Sequence, residues 1–210
     1  RETGRHYRYR CLPKRDGGVR MLEAPKARLK SAQRIVVAIL LDRVPVHPAA
    51  HGFVRGRSPR TNAAAHAGRR FVMRVDLRDF FGSIRASRIA ALFATLGYPP
   101  TVCRLLTGLC TNATPYDAWA WPEPAFGEEE RRRRWHRRRR HAVPHLPTGA
   151  PTSPALANLA AFRLDRRLHA FAESVGARYT RYADDLTFSG DDRLRRDRLG
   201  CFSVICEIVA

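Results

Sequence analysis

Two adjacent carboxylates, Asp184 and Asp185, and a third far upstream, Asp76, are the residues of this chain best suited to chemistry. Like charges side by side repel, and burial raises the cost, so an acidic pair needs a reason. A divalent cation supplies one, because hard oxygen ligands suit Mg²⁺. For the pair taken alone, an ordinary Asp-Asp turn at the surface is the alternative. Asp76 adds weight to the metal reading. A strand-end carboxylate facing a hairpin-tip pair can clamp two ions about 3.5–4 Å apart around the attacking and leaving oxygens of a phosphoryl transfer.

The elements that must position these groups are legible from residue type. Around Asp184 and Asp185, residues 180–182 and 186–188 are rich in β-branched and aromatic side chains, the composition of strands. They predict a hairpin with Asp184 and Asp185 at its tip. Upstream, Phe71, Met73, Val75 and Leu77 alternate with Val72, Arg74 and Asp76. That period of two gives a strand with one apolar face for a core and Asp76 on the other face, near the strand end.

Together these residues resemble the motifs of reverse transcriptases. Tyr182-Ala183-Asp184-Asp185 is similar to the active-site box of that family, residues Asp76 to Ile84 to its first carboxylate motif, and residues Leu146 to Pro154 to the loop between them, all in family order. Asn62-Ala63-Ala64-Ala65-His66 matches the Asn-Ala-x-x-His signature of the retron type. The likeness runs from about Tyr9 to Gly190.

The resemblance implies an α+β fold: a right-hand polymerase palm, its antiparallel sheet backed by helices, with a mixed α/β fingers lobe. It puts the fingers at residues 1–70 and the palm at 71–210, with an Arg-rich insertion at about 111–144 and no thumb in this chain. It implies an RNA-directed DNA polymerase using two Mg²⁺ ions. Asp76, Asp184 and Asp185 are then catalytic, and the metal set is Asp76, Leu77, Asp184 and Asp185. Lys14, Arg20, Phe81, Thr148 and Gly149 fall at nucleotide-binding positions, for dNTPs. Arg15, His51, Gly52, Phe53 and Tyr182 fall beside the RNA template and the RNA–DNA hybrid. A retron-type enzyme primes from a 2′-OH of its own structured non-coding RNA and serves in anti-phage defence, with an effector protein as a candidate partner. Group II intron and diversity-generating enzymes share the carboxylates but lack the Asn62–His66 signature. A template-independent defence polymerase and a non-catalytic RNA-binding scaffold are the remaining readings, and a scaffold has no need of three converging carboxylates.

Composition agrees with a polyanionic partner, since the formal charge is +20. The run from Glu128 to Arg140 holds three Glu and eight Arg, a net of +5, so +15 is spread over the rest. A merely soluble basic surface is the bland alternative. Cys11, Cys103, Cys110, Cys201 and Cys206 form no C-x-x-C pair, which suggests reduced thiols in a cytoplasm. No apolar stretch of 18 residues is present, which excludes a membrane span in this sequence. The sequence opens on Arg1 and stops at Ala210 inside an apolar run, so it reads as a fragment.

Along the chain, Tyr7 to Leu22 reads as two strands joined at Lys14-Arg15-Asp16-Gly17-Gly18, either a phosphate-gripping hairpin or a solvated basic one. Helices are expected over Ala27–Arg43, Asn62–Ala67, from Ser83 or Ala86 to Leu96 with Gly97 as the stop, and Pro100–Cys110. His66 reads as a structural histidine. Phe81 is either the ring that collides with a ribose 2′-OH or one more core aromatic beside Phe80. From Thr111 to Pro144, Arg blocks mixed with Trp119, Trp121 and Trp135 read as a solvated, unstructured tract or as a platform for RNA bases. Ser153 and Pro154 open a helix whose apolar stripe runs to Phe171. Thr148 stands where the family usually carries Gln.

Overall fold

The computed structural model describes residues 6–13, 19–119 and 127–210. Strands β1 (Tyr7–Pro13) and β2 (Val19–Pro25) form an antiparallel hairpin. Helix α1 (Ala27–Ile39) follows. It ends before the expected Arg43, because residues Leu41–Arg43 tighten into a 3₁₀ turn. Helix α2 (Pro59–Ala64) starts earlier than the expected Asn62. Ser58 caps it: its Oγ accepts from Thr61 N at 3.2 Å, and Thr61 Oγ1 accepts from Ser58 N at 2.9 Å.

Strand β3 (Phe71–Asp76), the one-turn α3 (Phe80–Ser83), α4 (Ala86–Thr95) and α5 (Pro100–Cys110) come next. Gly97, at φ 89°, ends α4 as its sequence predicts. A 3₁₀ turn covers Tyr116–Trp119, and α6 spans Glu128–His141. Helices α7 (Ser153–Ala160) and α8 (Phe162–Ser174) occupy the stretch expected as one helix; the chain breaks at Ala161, where no local residue type explains it. Strands β4 (Arg178–Tyr182) and β5 (Asp185–Gly190) precede α9 (Asp192–Arg196) and α10 (Arg198–Val209). Antiparallel sheets with separate helices make this an α+β fold, as expected.

Two compact units result, one from Arg1–Arg43 and Asp79–Ala157, the other from Val44–Arg78 and Asn158–Ala210. In the first, Cys11, Val19 and Met21 of the hairpin bury against Trp119. Its α6 corrects the reading of the Arg-rich tract as unstructured. Glu128–Glu130 sit in the first turn and Arg138–His141 in the last, which complements the helix dipole at both ends. One face packs inward: Arg134 donates to Trp119 O at 2.7 Å, Arg137 to Val19 O at 2.8 Å and Arg140 to Asp79 Oδ2 at 2.8 Å. Trp119 is core, so it is not a platform for bases; Trp135 is exposed, with the Arg139 guanidinium 4.7 Å from its ring centroid.

The second unit carries a three-stranded antiparallel sheet in the order β3-β5-β4. Helix α8 packs on β4, and α9 and α10 complete the layer. Tyr179, Leu186 and Phe188 of the sheet and Leu168, Leu194 and Ile205 of the helices form its core.

Candidate active site: the carboxylate corner of the second unit

Asp76 is the last residue of β3, and its Cα partner across the ladder is Asp185, the first residue of β5. Asp185 in turn pairs with Tyr182, so the β4–β5 loop is just Ala183 and Asp184. The hairpin tip is thus Ala183–Asp184, one residue earlier than expected, with Asp185 already on the ladder. Leu77 N donates to Asp184 O at 2.9 Å and ties the turn to the end of β3. One end of a sheet thereby gathers all three aspartates. Asp76 is exposed, and Asp184 and Asp185 are half-buried. Leu77 is buried and has no ligand atom in its hydrocarbon side chain, so only its backbone carbonyl could reach a metal. Asp185 Oδ2 meets Arg74 NH2 at 3.0 Å. All the candidate ligands are oxygens, which fits a hard cation such as Mg²⁺. Among the described residues their oxygens do not form a cluster of three within 4.8 Å, as a set of ligands in another part of the chain does.

The turn is held by a charge that its sequence does not advertise. Arg181, next to Tyr182, is 0 % exposed and forms a two-pronged ion pair with Asp165 of α8, also 0 % exposed: Nε to Oδ1 at 2.8 Å and NH2 to Oδ2 at 2.7 Å. Its NH1 donates to Ala183 O at 2.9 Å and to Asn158 Oδ1 at 3.1 Å. Tyr179 OH also donates to Asp165 Oδ1, at 2.8 Å; burial, then the Asp165 charge, pushes that phenol's pKa well up, so it stays a donor. Such a pair survives burial only because every prong is used. Ala183 needs the support. It sits at φ 56°, a left-handed conformation that costs a non-glycine residue about 1–2 kcal/mol.

Gly52 closes the other side of the turn. A Cβ there would stand 2.4 Å from Ala183 N and 3.1 Å from Tyr182 C, and Asn158 Nδ2 donates to Gly52 O at 2.9 Å. Its neighbours pair with β4 as a short parallel bridge, Arg181 N to Ala49 O at 2.8 Å and His51 N to Arg181 O at 2.7 Å. Gly52→Ala should therefore push the turn backbone aside and cost about 1–3 kcal/mol, as overpacking does. A urea midpoint equal to that of the parent would show that Tyr182–Ala183 yields freely.

The remaining residues singled out by sequence divide between the units. In the second, His51 Nδ1 lies 3.1 Å from Thr61 Oγ1, Phe53 is half-exposed at φ 61°, and Tyr182 is half-buried beside Asp185. In the first, Arg20 points outward from β2; Phe81 of α3 is half-buried, with its ring centroid 5.7 Å from that of the buried Phe80. Thr148 O accepts from Glu23 N at 2.8 Å, and Gly149 holds φ 119°, where a Cβ would press on Glu23 O at 3.1 Å. Lys14 and Arg15 lie outside the described residues.

The Asn62–His66 signature is structural, as expected of His66. Thr180 gives its hydroxyl proton to Asn62 Oδ1 at 2.7 Å, so Thr180 Oγ1 accepts from His66 Nε2 at 2.7 Å. Nδ1 of the ring then accepts from Ser189 Oγ at 2.6 Å. Burial and then Arg178 push the pKa of His66 down, which keeps the ring neutral for this double role. The signature straps α2 to β4 and β5.

With this geometry in view, comparison with known sequences identifies the class. Residues 12–203 match the family described as "Reverse transcriptase (RNA-dependent DNA polymerase)". The chain belongs to that family. Its curated relatives within that family include retron enzymes. It is 47 % identical over 206 residues to the Retron Mx65 reverse transcriptase of Myxococcus xanthus and 44 % identical over 188 residues to the Retron Mx162 enzyme of the same species. Against the Retron Ec86 reverse transcriptase of Escherichia coli the identity is 32 % over 205 residues. These alignments cover 95 %, 90 % and 95 % of this chain but only 44 %, 36 % and 55 % of the relatives, so the chain spans about half their length.

Proposed function

We propose that the protein is an RNA-directed DNA polymerase of the retron type, copying a structured non-coding RNA into single-stranded DNA by two-metal nucleotidyl transfer. The observation that carries this reading is Asp76 standing opposite Asp185, with Asp184 in the adjoining turn. Residues 1–70 serve as fingers and 71–210 as palm. Asp76, Asp184, Asp185 and the Leu77 carbonyl hold two Mg²⁺ ions, which when bound lower the pKa of a primer hydroxyl and neutralise the departing pyrophosphate. Arg74 compensates Asp185 while no cation is there. Arg20 and Lys14 grip the phosphates of a dNTP, Thr148 and Gly149 line its base, and the distributed positive charge holds RNA. A role in anti-phage defence in the cytoplasm, with an effector protein as partner, is part of the same reading and rests on the resemblance of Asn62–His66 to the retron signature. Among the described residues, no helix is long and apolar enough to cross a membrane.

The experiment is primer extension by the full-length protein with dNTPs, Mg²⁺ and an RNA template, followed by sequencing of the product. A DNA copy of the template is expected; DNA of unrelated sequence would replace this reading with template-independent synthesis. Phe81 supplies a second check. Its ring, set against the sugar C2′, excludes a 2′-OH, and Phe81→Val opens that space. The ratio of dNTP to rNTP incorporation efficiency should fall by about tenfold or more, since even a methylene-sized change in a pocket is worth about 1–3 kcal/mol. An unchanged ratio would move Phe81 into the core.

A further inference from the structure

We propose that Glu23, His141 and His145 form a second metal site, chemically unlike the carboxylate corner, which takes a zinc-class divalent cation. All three are buried, Glu23 and His145 at 0 % exposure and His141 at 5 %. One ligand atom from each lies within 4.8 Å of the other two. Among the described residues no fourth His, Cys, Asp or Glu joins them, so the set supplies three of the four positions of a tetrahedral ion.

Three details of the cluster point to a cation. His145 Nδ1 lies 2.8 Å from Val143 O, a group that can only accept, so Nδ1 carries a proton. Its Nε2 lies 2.9 Å from Glu23 Oε2. With the ring neutral, two lone pairs would face each other at that distance, so something positive belongs between them. His141 Nδ1 is buried without a hydrogen-bond partner, and it stands 3.8 Å from the same Glu23 oxygen. Zinc bonds of about 2.0–2.1 Å set neighbouring ligand atoms about 3.3 Å apart, and the two separations straddle that value.

The surroundings are those of metal ligands. A ligating histidine usually donates its other nitrogen to a carbonyl, as His145 does to Val143. The free oxygen of Glu23, Oε1, accepts from Asn112 Nδ2 and Thr114 Oγ1, both at 2.7 Å. Trp119 packs edge-on against the His141 ring at 5.4 Å, and Gly82 leaves room for that ring, since a Cβ there would stand only 2.7 Å from its Nε2. Two imidazoles and one carboxylate suit zinc far better than magnesium. Such an ion fastens β2, the end of α6 and the segment leading to Thr148 and Gly149 at one point.

The test uses the full-length protein, purified without a histidine tag or chelator and kept in excess Mg²⁺, which competes poorly for imidazole. Elemental analysis should find one zinc per chain, and chelation should lower the melting temperature by several degrees. Co²⁺ added to the stripped protein should give the visible bands of a tetrahedral nitrogen–oxygen site. His141→Asn should abolish both zinc retention and those bands while Asp184→Asn keeps both. Should the variant not fold, the Co²⁺ titration of the parent protein decides alone. Protein that holds no zinc and gives no Co²⁺ bands overturns the proposal, and the positive group between His145 and Glu23 is then a proton. Because metal content and spectra are read without catalysis, failure here leaves the polymerase reading untouched.

Discussion

Asp165→Asn should remove a large share of this protein's stability. Arg181 is fully buried, and Asp165 is the only carboxylate that meets its guanidinium among the bonds described above. Removing one charge of such a pair leaves the other uncompensated, at a cost of about 3–5 kcal/mol, against a total stability of about 5–15 kcal/mol. An exposed ion pair of the same chemistry would contribute less than about 1 kcal/mol. Urea unfolding measures the difference, and a loss under about 1 kcal/mol would mean that Arg181 finds water or another partner. The double variant Asp165→Leu, Arg181→Met separates two roles of the pair. Apolar side chains of similar size can match a buried ion pair, so part of the stability should return, less what Tyr179 OH and Asn158 Oδ1 lose as buried groups without their partners. The hydrogen bond to Ala183 O does not return, because methionine has no donor. Polymerase activity of the refolded double variant should therefore stay depressed, with kcat falling more than KM rises. Full activity would show that the turn keeps its shape unaided.

The opposite pattern is expected of Asp184→Asn. Its side chain is half-exposed, and the bond that ties this turn to β3 uses the Asp184 backbone carbonyl, which the substitution keeps. Stability should stay within about 0.5 kcal/mol of the parent. Primer extension in Mg²⁺ should nevertheless fall below detection, since a neutral amide is a poor partner for a hard cation, while RNA binding survives. Near-normal extension by this variant would remove the β4–β5 hairpin from the proposed catalytic centre. Taken together, the two variants distinguish a residue that builds the corner from one that works in it.

The same contrast explains what could be read from the amino acids alone. The strand at Phe71–Asp76, the hairpin and the α5 boundaries were legible because alternation, turn residues and proline act locally. The Asp184–Asp185 pair stood out because adjacent acids are costly without a purpose, and Asp76 because it closes an alternating strand and opens a stretch that resembles a family motif. Arg181 was not: an arginine beside a turn reads as solvated, and only Asp165, 16 residues earlier and on another element, makes burial affordable. Helix α6 was missed for a related reason. Its Arg blocks show no apolar stripe, and the groups that receive Arg134, Arg137 and Arg140 come from distant segments. Gly52 drew notice through family resemblance, but the close approach of Ala183 that requires a glycine there emerges only in three dimensions. The pairing of Glu23 with His145 is equally long-range, although a carboxylate on the inward face of an otherwise apolar strand was a visible anomaly.

The pairing of Asp76 with Asp185 also dictates a timetable. Their strands are 109 residues apart, and β3 hydrogen-bonds only to β5 within its sheet. On a ribosome adding about 5–20 residues per second, β3 waits roughly 5–20 s for its partner. During that interval the alternating Phe71, Met73 and Val75 have no sheet to join. The nascent chain is therefore most exposed to misassociation just after its first carboxylate strand emerges, and slowing synthesis between the two strands should lengthen that window and lower the yield of soluble enzyme.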